Sequence, residues 1–528
     1  MTIQESSSPQ AGPSDSESGR KLVPFAQAPA FFDSLRQAGR KIVQSHGVFD
    51  LIHPGHICHL EEARLLGDVL VVTLAMDRHV RKGPGRPYFN EQLRARSLAA
   101  LACVDHVVLV PDDSALAAIE CVRPHIYCKG KEYEDPDFDA TGGINAERAA
   151  VEKLGGQLRF AGPIKLSSTR LLNQYFDHLG GPVRAFCSAL ASQFTRRDFH
   201  DAVESLRSLK VLIVGDTIFD RYSYVKMQGL TSKNLILSGR FLSEETQCGG
   251  ALAVFRHVRE FVDDVRFLSL TGAEPWVQEA LAAHVPAAAD RVVRDAGFTT
   301  IVKQRFVEPL SEGKEMRKHF AVNYLDARAP AAAVQEQLLA RLREELCGVD
   351  VVLLADFGHG MMQPGLRACA QDSAPFLALN CQTNSNNHGF NILTRQYQRA
   401  DAFSLDEQEL VLACGKRQPE FKPELDALRR QLRARYAWLT RGAVETLGMR
   451  EGAEPCACPP LECEVVDTIG AGDAFFSVAS LAAARQLPIP LATFLAQLAG
   501  AQAVKIVGNS RPISKRTLVQ GGMSLLNF

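Results

Sequence analysis

Short β-rich runs alternate with helical patterns in two separate stretches of this 528-residue chain. That alternation restricts the fold more than any other feature, because it calls for parallel sheets flanked by helices. In the first stretch, strands are expected at Ile42–Ser45, Asp68–Ala75, His106–Val110, Pro124–Cys128 and Gln157–Phe160. Helices are expected between them at 55–66, 90–102, 114–122 and 145–154, with a last one opening near Ser168. The alternation stops at about Phe176 and gives way to a helical stretch. It restarts at Lys210–Val214 and runs through Asp350–Ala355 and Phe376–Leu379 to a helix after Gly472. The expected organisation is a tail over 1–25, an α/β domain over 30–176, a helical linker over 177–209 and a larger α/β domain over 210–528. The first twenty residues are rich in Ser, Pro, Gln and acidic side chains. They lack the apolar mass that offsets the entropy of ordering, so this tail is expected to be disordered.

Composition excludes several function classes. Fifty-nine Lys and Arg against 60 Asp and Glu leave a net charge of -1, so no global field draws the chain to nucleic acid. Mean hydropathy is -0.06, and no long uncharged apolar run offers a membrane span. Thirteen cysteines are scattered without the dense framework of a secreted scaffold, and no leader pattern opens the sequence, so a cytoplasmic location is expected. Cys456, Cys458 and Cys463 form a close group, but no partner pair follows at zinc-like spacing, and they read as free thiols in a loop.

The segment Gly47-Val48-Phe49-Asp50-Leu-Ile-His53-Pro-Gly55-His56 follows a strand and opens a helix. Two imidazoles and a close-approach glycine at a positively polarised helix end suit the phosphates of a nucleotide, and could donate hydrogen bonds to an α-phosphate as charge develops. The run resembles the HxGH signature of the cytidylyltransferase-like nucleotidyltransferase superfamily. Asp77, Arg81-Lys82-Gly83, Glu91 with Arg94, Lys129-Gly130 and Ser167-Ser168-Thr169-Arg170 follow in the expected order. The resemblance implies a Rossmann-like nucleotidyltransferase domain. In it Val48, Phe49, Gly55, Ser168 and Thr169 would bind nucleotide, His53 and His56 would be catalytic, and Lys82 and Lys129 would neutralise triphosphate or acceptor charge.

Asp467-Thr-Ile-Gly470-Ala471-Gly472-Asp473 sits between a β-rich run, Cys463–Val466, and a helix. The glycines let consecutive N–H groups converge on an oxyanion, and a carboxylate directly after such a nest suits a general base for a hydroxyl attacking phosphorus. With Asp216, Asp220, Gly249-Gly250, Asp356-Phe-Gly358-His-Gly360 and Thr440-Arg441-Gly442, this motif resembles the ribokinase family of sugar kinases over most of 210–528. The resemblance implies a ribokinase-like α/β fold with Asp473 as base. It also implies substrate or nucleotide contacts from Asp216, Asp220, Gly249, Gly250, Thr440, Gly442, Gly470, Ala471 and Gly472, and an indirect role for Glu409 in organising Mg²⁺. The chain departs from the family pattern at Ala253, at Asn380-Cys381-Gln382, where Asp-Pro-Lys is common, and at Asp406.

A ribokinase-like kinase joined to an HxGH domain resembles the bifunctional heptose-7-phosphate kinase and heptose-1-phosphate adenylyltransferase family, with the domain order reversed. The resemblance implies that a sugar or sugar phosphate is phosphorylated by ATP and that a nucleotidyl group passes to a sugar 1-phosphate with release of pyrophosphate. Two alternatives stay open: a CTP-dependent transferase acting on a polyol phosphate, and a kinase-like half that has lost turnover and senses or binds. Strand-like tracts at Tyr222–Val225 and Leu235–Leu242 could build the small lid sheet through which kinases of this family often pair, so a homodimer is also open.

Overall fold

The computed structural model describes residues 20–80, 86–112, 114–131, 143–162, 180–289, 291–309, 316–325, 328–384 and 387–526. The tail up to residue 19, Lys82, and the helix expected near Ser168, with Ser168 and Thr169, lie outside the described residues. The chain divides into two compact units, one over Met1–Leu179 with Met523–Phe528 and one over Gly180–Gly522.

The first unit carries β1 (Ile42–Gly47), β2 (Val69–Ala75), β3 (His106–Val110), β4 (Ile126–Gly130) and β5 (Gln157–Ala161). They form one parallel sheet in the order β3-β2-β1-β4-β5. Successive side chains leave a strand on opposite faces, and here both faces are apolar. Val43, Leu70, Val72 and Val107 pack into one core with helices 54–64 and 91–99, while Ile42, Val71 and Val108 pack into another with helices 28–37 and 115–122. The tail expected over 1–25 ends sooner than its composition suggests. Lys21 accepts and Val23 donates backbone hydrogen bonds with Val107 at 2.9 Å, because Leu22, Val23 and Phe25 have apolar side chains to place on the two cores.

The second unit continues with β6 (Lys210–Gly215), β7 (Thr217–Leu230), β8 (Leu237–Gly250), β9 (Asp264–Thr271), β10 (Val292–Arg294), β11 (Ile301–Pro309) and β12 (Met316–Tyr324). It ends with β13 (Val351–Asp356), β14 (Leu377–Cys381), β15 (Ala402–Asp406), β16 (Tyr436–Thr440), β17 (Thr446–Arg450) and β18 (Cys456–Cys458). Nine strands make the main sheet, β10-β9-β6-β13-β14-β15-β16-β17-β18, parallel from β10 to β16 and antiparallel at β17 and β18. The remaining four form a separate small sheet, β12-β11-β7-β8, which contains the tract expected at Tyr222–Val225 and, from Leu237 on, the one expected at Leu235–Leu242. Phe241, Phe320 and Tyr324 of this sheet are exposed.

Three expectations are corrected. The helices of 177–209, Gly181–Gln193 and Arg196–Ser205, do not stand apart as a linker. Phe199 is fully buried, its ring 6.1 Å from that of Phe494, and Glu204 pairs with Lys515, so apolar stripes on both helices are spent on the second unit. Cys463–Val466 is not a strand. Val466 and Asp467 donate their N–H groups to the Val504 carbonyl, while Glu464 and Val465 face solvent. The strand lies earlier, at β18, and it buries Cys456 and Cys458, so these thiols are free but not in a loop. Burial pushes Cys456 up to about 11. No helix among the described residues is long and apolar enough to cross a membrane.

Trp276 and Trp438, the two tryptophans of the sequence, both lie in the second unit. Phe199→Ala should therefore lower the urea midpoint read by tryptophan fluorescence, with a loss of about 3–5 kcal/mol for a buried aromatic. An unchanged midpoint would separate the helix at 196–205 from this unit's core.

Candidate functional site

In a parallel sheet, ligands gather at the carboxyl ends of the strands where the strand order reverses. In the first unit that point lies between β1 and β4, and the loop after β1 and Lys129 at the end of β4 flank it. His53 takes the N-cap position of helix Pro54–Arg64, Pro54 is the first helical residue and Gly55 the second. The rings of His53 and His56 stack at 3.9 Å and 21°, and Phe49, at φ +46°, sets its ring edge-on against His56 at 5.1 Å. The structure thus brings Val48 and Phe49 of the loop after β1 together with His53, Gly55 and His56 at a positively polarised helix end. Lys129 pairs with Glu147 at 2.9 Å, so its charge is already shared.

A buried ion pair and a buried arginine that sequence reasoning did not assign hold this loop. Asp50 accepts from the Tyr88 and Phe89 N–H groups and pairs with Arg86 at 2.7 Å, with both side chains at most 2% exposed. Arg94, fully buried, donates to the carbonyls of Val48, Ala75 and Phe89 and to Asp77. Behind the helix, His59 bridges the Ser45 hydroxyl at 2.9 Å and the Ala161 carbonyl at 3.1 Å. The signal for Arg94 was its position: a charged residue on the apolar face of a helix must find acceptors when buried.

In the second unit the strand order reverses between β6 and β13. A cavity of about 180 Å³ opens beside it, lined by Asp220, Gly250, Gly470, Gly472 and Asp473 among the expected residues. Gly470 caps helix Ala471–Ala484 at φ +83°, and a Cβ there would lie 2.2 Å from the Asn509 side-chain oxygen. Gly472 and Asp473 are second and third in the helix, where N–H groups have no carbonyl four residues back within it. Asp473 is buried, and burial and the Asp220 charge push it up to about 7. Gln382, after β14, donates its amide to Asp473 at 3.2 Å.

Asp220 faces the cavity and forms an ion pair with Arg305, and a Cβ at Gly249 would fall 2.3 Å from its carboxylate. Lys303, Arg305, Gln382 and Asn509 complete the charged and amide part of the wall. Lys303 and Arg305 had escaped notice because they lie on a strand about 170 residues before the nest in sequence. Two cations spaced by two, and so on one face of a β-rich run, were the available signal.

Other expected residues stand outside this lining. Asp216 is fully buried and accepts from the N–H groups of Phe357, His359 and Met361, so it shapes the turn after β13 rather than meeting a ligand. Burial and Asp356 raise its proton affinity. Ala471 donates its N–H to Thr468, and Thr440 and Gly442 lie at the end of β16, where the Thr440 hydroxyl donates to the Leu405 carbonyl. The amide-rich tract after Gln382 is knitted to the same turn as Asp216. Asn384 and Asn387 donate to the Phe357 carbonyl, and Asn391 to that of Asp356.

Glu409 does not offer itself to a metal. One of its oxygens accepts from Thr383 N–H at 3.0 Å and the other from Asp406 N–H at 2.9 Å, closing a capping box in which Asp406 accepts from Glu409 N–H. Burial and the Asp406 charge push it up to about 8, the range of a protonated carboxyl at neutral pH. Among the described residues no three His, Cys, Asp or Glu side chains gather as a metal site. The side chains present do not fit a resident Mg²⁺.

Two substitutions test this geometry. Gly470→Ala should reduce any phosphoryl transfer at least tenfold, because it forces a strained φ, costing about 1–3 kcal/mol, and displaces Asn509; steady-state assay of the full chain reads it. Arg94→Ala should destabilise the first unit by about 1–3 kcal/mol, the range for leaving a buried acceptor without its donor, read by hydrogen exchange at β1 and β2. Unchanged protection there would show that the loop after β1 holds itself.

Residues 45–146 match the family described as cytidylyltransferase-like, and residues 317–516 match the pfkB family of carbohydrate kinases. Among curated proteins the chain is similar to the Bifunctional protein HldE of Pelobacter propionicus, 37% identical over 167 residues, which are 30% of this chain and 33% of that protein. It is also similar to the Bifunctional protein HldE of Gluconobacter oxydans, 45% identical over 153 residues, 29% of this chain and 30% of that protein. These matches fall in the N-terminal region, so the chain spans about a third of the length of the curated relatives it matches. A solved ribokinase from Arabidopsis thaliana, complexed with ribose and ATP, aligns over 61% of this chain and 99% of its own, at 16% identity and a TM-score of 0.45. The chain thus joins a cytidylyltransferase-like domain, over residues 45–146, to a C-terminal pfkB domain.

Proposed function

We propose that the chain is a bifunctional enzyme of nucleotide-sugar synthesis. Its pfkB domain phosphorylates a heptose-like sugar or sugar phosphate with ATP. Its cytidylyltransferase-like domain transfers a nucleotidyl group from ATP or CTP to a sugar 1-phosphate and releases pyrophosphate. The observation that carries this reading is one cavity holding a buried carboxylate, Asp473, within the first turn of a helix capped by Gly470. There the acceptor hydroxyl would give its proton to Asp473 while its oxygen attacks the γ-phosphorus, and the Gly472 and Asp473 N–H groups would meet the phosphoryl oxygens. Asp220 would hold the acceptor in place. Magnesium would enter as part of the triphosphate substrate, since no ligand cluster gathers among the described residues. In the other domain the stacked His53 and His56 would donate hydrogen bonds to the α-phosphate, and Lys82, Lys129, Ser168 and Thr169 would bind the remaining charge.

One observation favours a second reading, a pfkB domain that binds without turnover. The amide of Gln382 touches Asp473 where the resembling family commonly has a lysine, and Asn380 is spent on the Ser404 carbonyl inside the sheet. Sugar binding by the full chain without ADP formation would identify it. A cytoplasmic location suits thirteen free thiols and triphosphate substrates. Pairing of two copies through the small sheet would cover Phe241, Phe320 and Tyr324.

The two activities should separate. Asp473→Asn should lower phosphorylation about 10²–10⁴-fold, the usual contribution of a general base, and leave pyrophosphate release intact; His53→Ala and His56→Ala should do the reverse. Paired half-reaction assays in which both activities fall together would reject two independent sites. The base works only when ionised, and its folded value is raised to about 7. The rate of phosphorylation at low acceptor concentration should therefore be level above that pH and fall about tenfold per unit below it. A profile still level at pH 5.5 would remove Asp473 from the role.

A further inference from the structure

Two cations reach the cavity from the small sheet, and their situations differ. Lys303 and Arg305 are two apart on β11, so both leave the same face of the strand. Arg305 is committed: it forms an ion pair with Asp220 and lies over the Tyr222 ring at 5.6 Å. The Lys303 ammonium has no hydrogen-bond or ion-pair partner among the described residues, although the residue lines the same wall. The ring of Phe357 lies 6.0 Å from its ammonium, and it feels Asp220 and Asp473 only through space. Burial lowers its proton affinity, as expected for a cation taken from water without a close counter-ion.

A half-buried ammonium that faces a cavity without a close counter-ion is a ready site for an anion. The anion that fits this wall appears during phosphoryl transfer. The acceptor hydroxyl loses its proton to Asp473, its oxygen forms the new bond to the γ-phosphorus, and the bond to the bridging oxygen breaks with its electron pair leaving on ADP. Throughout this exchange the phosphoryl oxygens carry negative charge. Gln382, which touches the base, is an uncharged amide and supplies none of the positive charge required.

We propose that Lys303 is a catalytic residue of the phosphoryl transfer, its ammonium contacting the oxygens of the transferred group together with the Gly472 and Asp473 N–H groups. Orientation of the base and neutralisation of the phosphoryl group then fall to two side chains, Gln382 on one segment and Lys303 on another. This assignment rests on the kinase reading of the cavity.

The test compares the full chain, Lys303→Met and Lys303→Arg by calorimetry, with ADP and Mg²⁺ in the presence and absence of aluminium fluoride, an anionic mimic of the transferred phosphoryl group. ADP alone should bind all three proteins within about threefold, which also shows a folded pocket. The affinity gained on adding aluminium fluoride should fall at least about tenfold in Lys303→Met and be largely kept in Lys303→Arg, and kcat for phosphorylation should fall about 10²–10³-fold in Lys303→Met, in line with loss of one charge-stabilising donor. An undiminished gain in Lys303→Met overturns the assignment, as does a raised acceptor KM with unchanged kcat, which would make Lys303 a binder of the acceptor. Failure of the unaltered chain to bind ADP at all would instead overturn the kinase reading, and the assignment with it.

Discussion

A parallel strand covered on both faces can present polar groups to a ligand at its end and almost nowhere along its length, and both units of this chain are built on that constraint. In the first, β1 and β4 release the imidazole loop and Lys129 at the point where strand order reverses. In the second, β6, β13 and β14 end in Asp216, the Phe357 turn and Gln382 around a neighbouring helix end. The buried interior of each sheet supplies rigidity, and the chemistry is confined to a rim.

The rim of the second unit crowds carboxylates together and then sorts them by what surrounds each. Asp216 receives three backbone N–H groups and becomes part of the frame. Glu409 receives two and starts a helix. Asp220 is met by a guanidinium. Asp473 receives one amide and otherwise faces the cavity, so of the four it retains the capacity to take a proton from a ligand. Motif position singled out Asp473, and the hydrogen-bond partners show what separates it from the other three.

Much of the architecture was legible because it is periodic. The alternation of strand and helix located the first unit's strands within one or two residues, with His106–Val110 as expected. The Gly470–Asp473 and His53–His56 motifs were legible because each is contiguous in sequence and a helix start fixes its geometry. What was not legible came from distance or from substitution of one role for another. Lys303 and Asn509 meet the nest only through folding, and Arg94 reveals its purpose only once three carbonyls converge on it. Asp216 and Glu409 carry the right chemistry for ligand contact but spend it on backbone. Cys463–Val466 has the composition of a strand without a neighbour to pair with, so it runs as a loop against Val504.

The amide beside Asp473 also bears on how the site resets. An ammonium in that place could donate only, and would favour a carboxylate over its conjugate acid. A carboxamide can turn its NH₂ toward an ionised oxygen or its carbonyl toward an O–H. The side chain of Gln382 can therefore hold Asp473 before and after proton capture, and releasing that proton to solvent becomes the step that readies the site for its next substrate, with no rearrangement of the pocket around it.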